Sequence, residues 1–399
     1  MRTAASLGAL RPQEGRWSLK SYDVLIVGGG MAGVSLGFEL SADRSVGLLE
    51  MEATLAFHTT GRSAATFLES YGGPQIRALT ISSRVFLENP PETFESVLLR
   101  PLPLLFVAPE GRGDLLRQLQ ADVSLLVPDV RLVDADEARG LNPLLAPGYA
   151  ELAMLEPRAM EIDVHAVHQG FVRGMRRRQG EIRTSAKVAG ASYRDGLWML
   201  TDAQGERFQA PVVVNAAGAW ADEIAGLAGV SPVGIMPLRR TIFMLAAPAE
   251  VDTSRLPLTG DIDGTWYVKP EGPQLLCSPA DEVLQPPSDA RPDEIQIARA
   301  LDVINAATTI GSRHVRSAWA GLRNFVPDRV PVVGFEPLAE GFFWFAGQGG
   351  YGIQTAPAMA RAGAALIRGE EFPEDIRQRG LTAADLARDR PGITALAEH

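Results

Sequence analysis

The sequence predicts an α/β protein with α+β inserts, in which parallel strand–helix units are interrupted twice by a mainly antiparallel sheet. Three observations predict it. An apolar run ending at Val27 breaks into a glycine turn and a helix, then returns as a second apolar run ending in Glu50, all within about thirty residues. Two later apolar runs, 211–215 and 341–346, also break into turns of small residues. Between these pieces, 96–155 and 229–321 are richer in proline and in short strand-like runs such as 241–245, 265–269 and 274–277.

The first unit is the most specific. Gly28 makes the tight turn after the strand, Gly30 lets the backbone approach a pyrophosphate, and Gly33 lets the helix pack closely on the strand, with Ala32 between them. The helix N-terminus adds amide donors and the positive end of a dipole. Glu50, followed by Met51, is placed to accept the two ribose hydroxyls of an adenosine. A lone glycine triplet would be weak evidence. With both flanking strands and the terminal acid, the segment reads as a Rossmann-like site for an adenine dinucleotide.

The second informative run is 57–66, where Thr59, Thr60, Gly61, Arg62, Ser63, Ala64, Ala65 and Thr66 precede a helical stretch predicted from about Ala64. Small residues and hydroxyls suit close backbone approach to a flat ring system and its phosphate tail, although an ordinary loop and helix cap would look the same. A helix is predicted over 162–179, with Arg173, Arg176, Arg177 and Arg178 as a solvated C-terminal face, and a returning strand over 181–188. The run 211–215 leads into a turn carrying Ala217 and Gly218, at the carboxyl end of a strand, where open α/β sheets place ligands. Near the end, Gly349, Gly350, Tyr351, Gly352, Ile353 and Gln354 form a glycine-rich turn before an alanine-rich helix over 355–367.

At 399 residues, two domains are the natural reading. One comprises 21–95, 156–228 and 322–380 and holds the nucleotide; the other comprises 96–155 and 229–321 and holds the substrate. Residues 1–20 read as a disordered extension and 381–399 as a tail. Apolar residues make up 46% and charged ones 22%, yet no apolar run reaches the roughly 18 residues of a membrane helix. The net charge of −10, from 48 acids against 38 bases, disfavours nucleic acid as a partner. The single cysteine, Cys277, excludes an intrachain disulfide, a multi-cysteine zinc site and a cysteine-ligated iron–sulfur cluster, and its neighbours make it a core thiol. His58, His165, His168, His314 and His399 are scattered, so no metal site is expected. The first 20 residues lack a secretory pattern, which makes the cytoplasm the default location.

Taken together, these runs resemble the D-amino-acid oxidase and dehydrogenase superfamily of flavoproteins, which includes glycine and sarcosine oxidases. The resemblance is carried by 28–33 with Glu50, by 60–65, by 213–220, by 319–323 with Pro327 and Asp328, and by 347–355, and it extends over about 22–380. Within the family the sequence is most similar to bacterial FAD-dependent D-arginine dehydrogenases, sharing runs at 72–80, 89–91 and 225–229. The resemblance implies noncovalent FAD, since no cysteine lies near Gly347 to tether it. The adenosine would lie on Glu50 and the pyrophosphate on the Gly28 turn, with Val188 touching the adenine side through its backbone. The 59–66 segment and the 349–354 turn would hold the ribityl chain and ring.

The resemblance further implies oxidative deamination of an amino acid, by hydride transfer from the α carbon to flavin N5, giving a 2-oxo acid and ammonia. Arg323 would grip the substrate carboxylate, Arg240 would lie close by, and Tyr71 and Tyr267 would line the pocket beside the carboxylate and amine. Thr66, Leu104, Gly260, Gly321 and Gln354 would line the rest. Two positions depart from the D-arginine enzymes: Thr66 stands where they carry histidine, and Leu104 where a glutamate receives the basic side chain. Gly260 also replaces a larger apolar residue. A cationic side chain among leucines without a carboxylate partner costs several kcal/mol, so neutral or apolar D-amino acids are expected as substrates. Electrons would pass to a quinone or other acceptor in preference to O2, which allows a membrane-peripheral location. The other readings are a secondary-amine or glycine oxidase of the same superfamily, a nicotinamide-dependent dehydrogenase, and a non-catalytic flavin-binding subunit.

Overall fold

Strand Val24–Val27 is buried along its whole length and lies inside a six-stranded sheet. A computed structural model of the chain describes residues 19–394. The sheet runs in the order Glu181–Arg183, Val46–Leu49, Val24–Val27, Val212–Asn215, Phe342–Ala346, Val332–Phe335. Its first five strands are parallel, and the last is an antiparallel edge. Strands covered on both faces read as continuous apolar runs, which is why these pieces were legible. Helices Met31–Leu40, Val164–Arg177 and Ala356–Arg368 cover one face. On the other face lies a second sheet of Lys20–Ser21, Arg207–Ala210, Leu197–Asp202 and Val188–Arg194, whose Trp198 and Phe208 share a core with Phe342 and Trp344. From Val24–Val27 the chain pairs with Val46–Leu49 on one side and Val212–Asn215 on the other, so the Gly28 turn sits at the topological switch point.

Most of the insert strands form a third sheet. Its order is Val283–Leu284, Met236–Ala246, Gln274–Ser278, Tyr267–Glu271, Leu258–Asp261, Leu104–Pro109, Ala150–Glu156, Arg131–Asp134, with Ser317–Phe325 also paired to Met236–Ala246. All its pairs are antiparallel except Leu258–Asp261 with Leu104–Pro109. Strand Ser317–Phe325 spans position 322, so one continuous strand carries the chain from this sheet back toward the nucleotide-binding elements. Cys277 is fully buried here, and burial pushes its thiol well up, as a core thiol requires.

Several local expectations are corrected. No helix starts at Ala64: Thr60–Arg62 is a single 3-10 turn, Ser63 Oγ accepts from the Ala65 amide at 3.1 Å, and Ala65 adopts φ 53. That serine turn competes with helix, and the chain runs extended through Thr66–Phe67 until Pro74 opens helix Pro74–Glu88. The strand expected over 181–188 is two, since Glu181–Arg183 joins the parallel sheet and Val188–Arg194 the one behind it. Arg178 is not merely solvated: its guanidinium lies 4.1 Å from the Phe38 ring centroid and donates to the Phe38 carbonyl. The extension expected over 1–20 falls almost wholly outside the described residues, and Lys20 opens a strand paired with Phe208. The stretch set apart as a tail buries Leu381, Leu386 and Ile393, and Arg390 forks onto Asp328 at 2.6 and 2.9 Å.

Candidate active site

A cavity of about 650 Å³ runs from Glu50 to the third sheet. At its Glu50 end, Gly28 has φ +114, and a Cβ there would sit 2.3 Å from the Ala216 carbonyl oxygen, so only glycine fits. A Cβ on Gly33 would lie 1.9 Å from the Gly28 oxygen. Glu50 Oε2 accepts from the Gly29 amide at 2.7 Å and Oε1 from the Glu52 amide at 2.8 Å, which fixes the carboxylate on the cavity wall with lone pairs to spare. Behind the turn, buried His168 holds the Gly29 carbonyl at 3.0 Å from Nε2. Val188, Ala217 and Gly218 border the same end. His58 does too, its ring 4.6 Å from that of Trp220.

The middle of the cavity is walled by the 57–66 segment and the 347–354 turn. Thr60 Oγ1 accepts from the Met31 amide at 3.0 Å, and Thr59 Oγ1 donates to the Leu322 carbonyl at 2.6 Å, so two hydroxyls moor this segment to the first helix and to the third sheet. Arg62 is spent in the same way: its guanidinium donates to the Ala290 and Ala320 carbonyls at 3.0 and 3.1 Å and pairs with Asp289. It therefore ties this segment to the third sheet and to the loop before helix Glu294–Ala307, and offers no free fork to a phosphate. The Gln354 amide is also occupied, clamping the Leu68 backbone at 3.2 and 3.3 Å and donating to Thr80 Oγ1 at 2.8 Å.

Two arginines meet at the far end because neighbouring strands carry them. Arg240 stands opposite Gly321, and Arg323 opposite Leu238, in the antiparallel pair of Met236–Ala246 with Ser317–Phe325. Arg323 lies against the 349–354 turn, where a Cβ on Gly350 would come within 2.1 Å of its Nη2. It donates to Tyr71 Oη at 2.7 Å and to Glu282 Oε1 at 2.9 Å. Arg240 donates to the same Glu282 oxygen at 3.3 Å and to the Asp281 carbonyl at 2.9 Å. Burial alone would push the Tyr71 phenol up, but the Arg323 and Arg240 charges outweigh it and hold the phenol below the ordinary tyrosine range. Burial likewise acts against ionised Glu282, yet its Arg329 hydrogen bond and the charges of Arg323, Arg329 and Arg240 hold its carboxyl below the usual value.

Beside the arginines the wall is apolar. Leu104 is 1% exposed and borders the cavity with Phe106, Leu258, Trp266 and Tyr267. Leu104 opens a strand rather than sitting in a loop, and its cross-strand neighbour is the buried acid Glu156. That carboxylate accepts from the Glu69 amide at 2.8 Å, the Ser70 amide at 3.4 Å and the Ser70 hydroxyl. Gly260 leaves little spare room, because a Cβ would stand 3.1 Å from the Trp266 oxygen.

Of the residues singled out from sequence, Tyr71, Arg240, Tyr267 and Arg323 converge at this end, with Thr66, Leu104, Gly260, Gly321 and Gln354 on the walls around them. Gly33, Gly61 and Tyr351 stand behind the wall: Gly33 at the strand–helix contact, Gly61 where a Cβ would be 2.4 Å from the Ala56 oxygen, and Tyr351 with its ring 5.0 Å from that of Tyr71. Sequence reasoning missed Glu282 and Arg329, which lie in loop sequence with no motif spacing to mark them. It also missed Leu258 and Trp266, whereas Phe106, two residues on from Leu104, shares its strand face as alternation requires. Among the described residues no group of three or more histidine, cysteine, aspartate or glutamate residues is arranged to hold a metal, and no helix is long and apolar enough to cross a membrane.

Comparison with known proteins agrees with this geometry. The model of the DAO family, described as FAD dependent oxidoreductase, matches residues 23–366. The chain is 26% identical over 401 residues to FAD-dependent oxidoreductase domain-containing protein 1 of Bos taurus, covering 86% of this chain and 81% of that one. It is 23% identical over 387 residues to the mitochondrial dimethylglycine dehydrogenase of Homo sapiens, covering 91% of this chain but 44% of that protein. The crystal structure of glycine oxidase from Geobacillus kaustophilus superimposes with a TM-score of 0.78 at 23% identity, over 88% of this chain and 96% of that one. These relatives support the superfamily and do not single out a D-arginine dehydrogenase.

Proposed function

This chain belongs to the DAO family of FAD-dependent oxidoreductases, and we propose that it oxidises D-amino acids with neutral or apolar side chains to 2-oxo acids and ammonia. The residues fit FAD: the Gly28 turn is a cradle that a Cβ would fill, Glu50 stands on the wall at one end, and the cavity continues past the 57–66 segment to the arginines. Bound there, FAD supplies the two-electron acceptor, and the protein supplies position and charge.

The observation that carries the reading is the convergence of Arg240, Arg323, Tyr71 and Tyr267 at one end of the cavity, beside the apolar side chains of Leu104, Phe106, Leu258 and Trp266. The arginine forks would take the carboxylate in charge-assisted hydrogen bonds and hold the α carbon in one orientation, which lowers the barrier without any acid–base step by the arginines themselves. Tyr71 Oη, already accepting from Arg323, would keep that fork aligned. Leu104, Phe106 and Leu258 would receive the side chain. The preference for the D series rests on the motif resemblance.

The test is product analysis with an artificial electron acceptor. D-Leucine or D-methionine should yield one ammonia and one 2-oxo acid per acceptor reduced, whereas no turnover of any D-amino acid would reject the reading. A secondary-amine or glycine oxidase activity is the second reading, favoured by the likeness to glycine oxidase and dimethylglycine dehydrogenase; sarcosine outcompeting every D-amino acid would select it. A quinone or other acceptor is proposed ahead of O2, and slow reoxidation of the reduced protein in air would bear that out.

A further inference from the structure

Glu282 is paired with both arginines at the far end of the cavity. Its Oε1 accepts from Arg323 Nη1 at 2.9 Å, Arg240 Nη2 at 3.3 Å and Arg329 Nη1 at 3.4 Å, while Oε2 pairs with Arg329 Nη2. The three arginines are not equivalent: the Arg323 and Arg240 side chains are 10% and 14% exposed, whereas that of Arg329 is 46% exposed, on the solvent side of the cluster. Arg323 and Arg329 both lie over the Phe325 ring, at 5.1 and 4.4 Å from its centroid, so a carboxylate can pass between two forks that share one floor.

The backbone around Glu282 is fixed. Asp281 accepts from the Thr241 amide at 2.6 Å and from Thr241 Oγ1 at 3.0 Å, and its carbonyl takes Arg240 Nε at 2.9 Å. Val283 pairs in register with Arg239. Movement of Glu282 is thereby confined to its side chain, which has three rotatable bonds and one partner, Arg329, outside the subsite.

We propose that Glu282 is the resident occupant of the carboxylate subsite and a determinant of specificity: a substrate binds by displacing its carboxylate from Arg240 and Arg323 onto Arg329. This rests on the reading that those two arginines take the substrate carboxylate. One carboxylate replaces another, so the buried guanidinium groups are never left unpaired. An amine without a carboxylate offers nothing to exchange and meets a filled subsite. Carboxylic acids are thus selected by the exchange itself, as well as by the forks that finally hold them.

The test is titration of the FAD-loaded protein with acetate, followed through the perturbation of flavin absorbance. A subsite held by its internal occupant about nine times in ten binds roughly ten-fold more tightly once vacated, so Glu282→Gln should lower the acetate Kd by about that factor. Glu282→Asp, too short to span the forks, should lower it in the same direction and serves if the glutamine variant retains no flavin. Arg329→Ala should raise the acetate Kd in the parent protein, where displaced Glu282 loses its partner, and leave it unchanged in the Glu282→Gln background. An acetate Kd unchanged or raised in both Glu282 variants would overturn the proposal, and is the result expected if Glu282 binds a substrate ammonium instead. Arg323→Ala separates the two levels. If it weakens acetate binding while the Glu282 variants tighten nothing, the exchange fails and the carboxylate site stands. If Arg323→Ala leaves acetate binding intact, the carboxylate site itself is wrong.

Discussion

Arg323 touches the Tyr71 oxygen, Glu282 and the 350 backbone at once, and each contact fixes its fork in a buried setting where a lost partner is costly. Arg323→Ala should therefore raise the Michaelis constant and abolish useful turnover while FAD stays bound, because a desolvated charge pair is worth roughly 2–5 kcal/mol when one partner is removed. Steady-state kinetics beside the flavin absorbance ratio checks this, and unchanged substrate affinity would place the carboxylate elsewhere. Specificity turns on Leu104. An unpaired guanidinium against it should cost on the order of 2–4 kcal/mol, giving about 30- to 1000-fold lower kcat/KM for D-arginine than for D-leucine. Leu104→Glu should recover part of the D-arginine activity. Nearby acids do not undercut this expectation. Glu156 is saturated by Glu69 and Ser70, and Asp261 accepts from the Thr265 amide at 2.7 Å, the Thr265 hydroxyl at 2.6 Å and the Trp266 amide at 3.3 Å. Parent activity highest on D-arginine would mean that one of these acids, or Asp263 or Glu282 on the cavity wall, pairs with the basic side chain.

At the scale of elements, the strand–glycine–helix unit was legible because steric exclusion leaves few sequences able to make it. A Cβ on Gly33 would lie 1.9 Å from a backbone oxygen, so Gly33→Ala should cost more than the roughly 1–3 kcal/mol of ordinary overpacking and distort the turn that cradles the cofactor. The purified variant should show a sharply lower flavin-to-protein absorbance ratio. The helix expected from Ala64 and not formed shows the opposite case: one local hydrogen bond, from the Ala65 amide to Ser63 Oγ, with a left-handed Ala65 diverted the chain. His168 was readable only as a residue on a helix face, since its partner, Gly29, is 139 positions away. The Gly29 carbonyl can only accept, so Nε2 carries the proton, and burial pushes the His168 pKa down. The unfolded chain then takes up a proton near pH about 6.5 that the folded chain refuses, so stability is complete above that pH and falls below it. Between pH about 6.5 and 5 the parent Tm should drop more steeply than that of His168→Gln, which keeps a donor for Gly29 but does not titrate. Equal slopes would show that this contact does not respond to protons.

For the molecule as a whole, a parallel sheet and a mainly antiparallel sheet face one cavity, and strand Ser317–Phe325 leads from the latter back toward the 347–354 turn. The split into these two kinds of sheet was visible in the sequence as two kinds of apolar run. Long-range ion pairs were not: Arg62 with Asp289, and Arg390 with Asp328, join residues 227 and 62 positions apart through chemistry that no local pattern records. The only cysteine is buried within the third sheet, so the flavin should be held without a thioether. Acid precipitation should leave the yellow colour in the supernatant, and flavin retained in the pellet would contradict it. The most direct measurement of the central claim is anaerobic stopped-flow mixing of the FAD-loaded protein with single D-amino acids, their L enantiomers and sarcosine. Rapid, complete bleaching of the flavin band by D-leucine, D-methionine or D-phenylalanine, with slow bleaching by D-arginine and the L series, is the predicted result. A flavin that stays oxidised with every D-amino acid while sarcosine or an L-amino acid bleaches it would contradict the account.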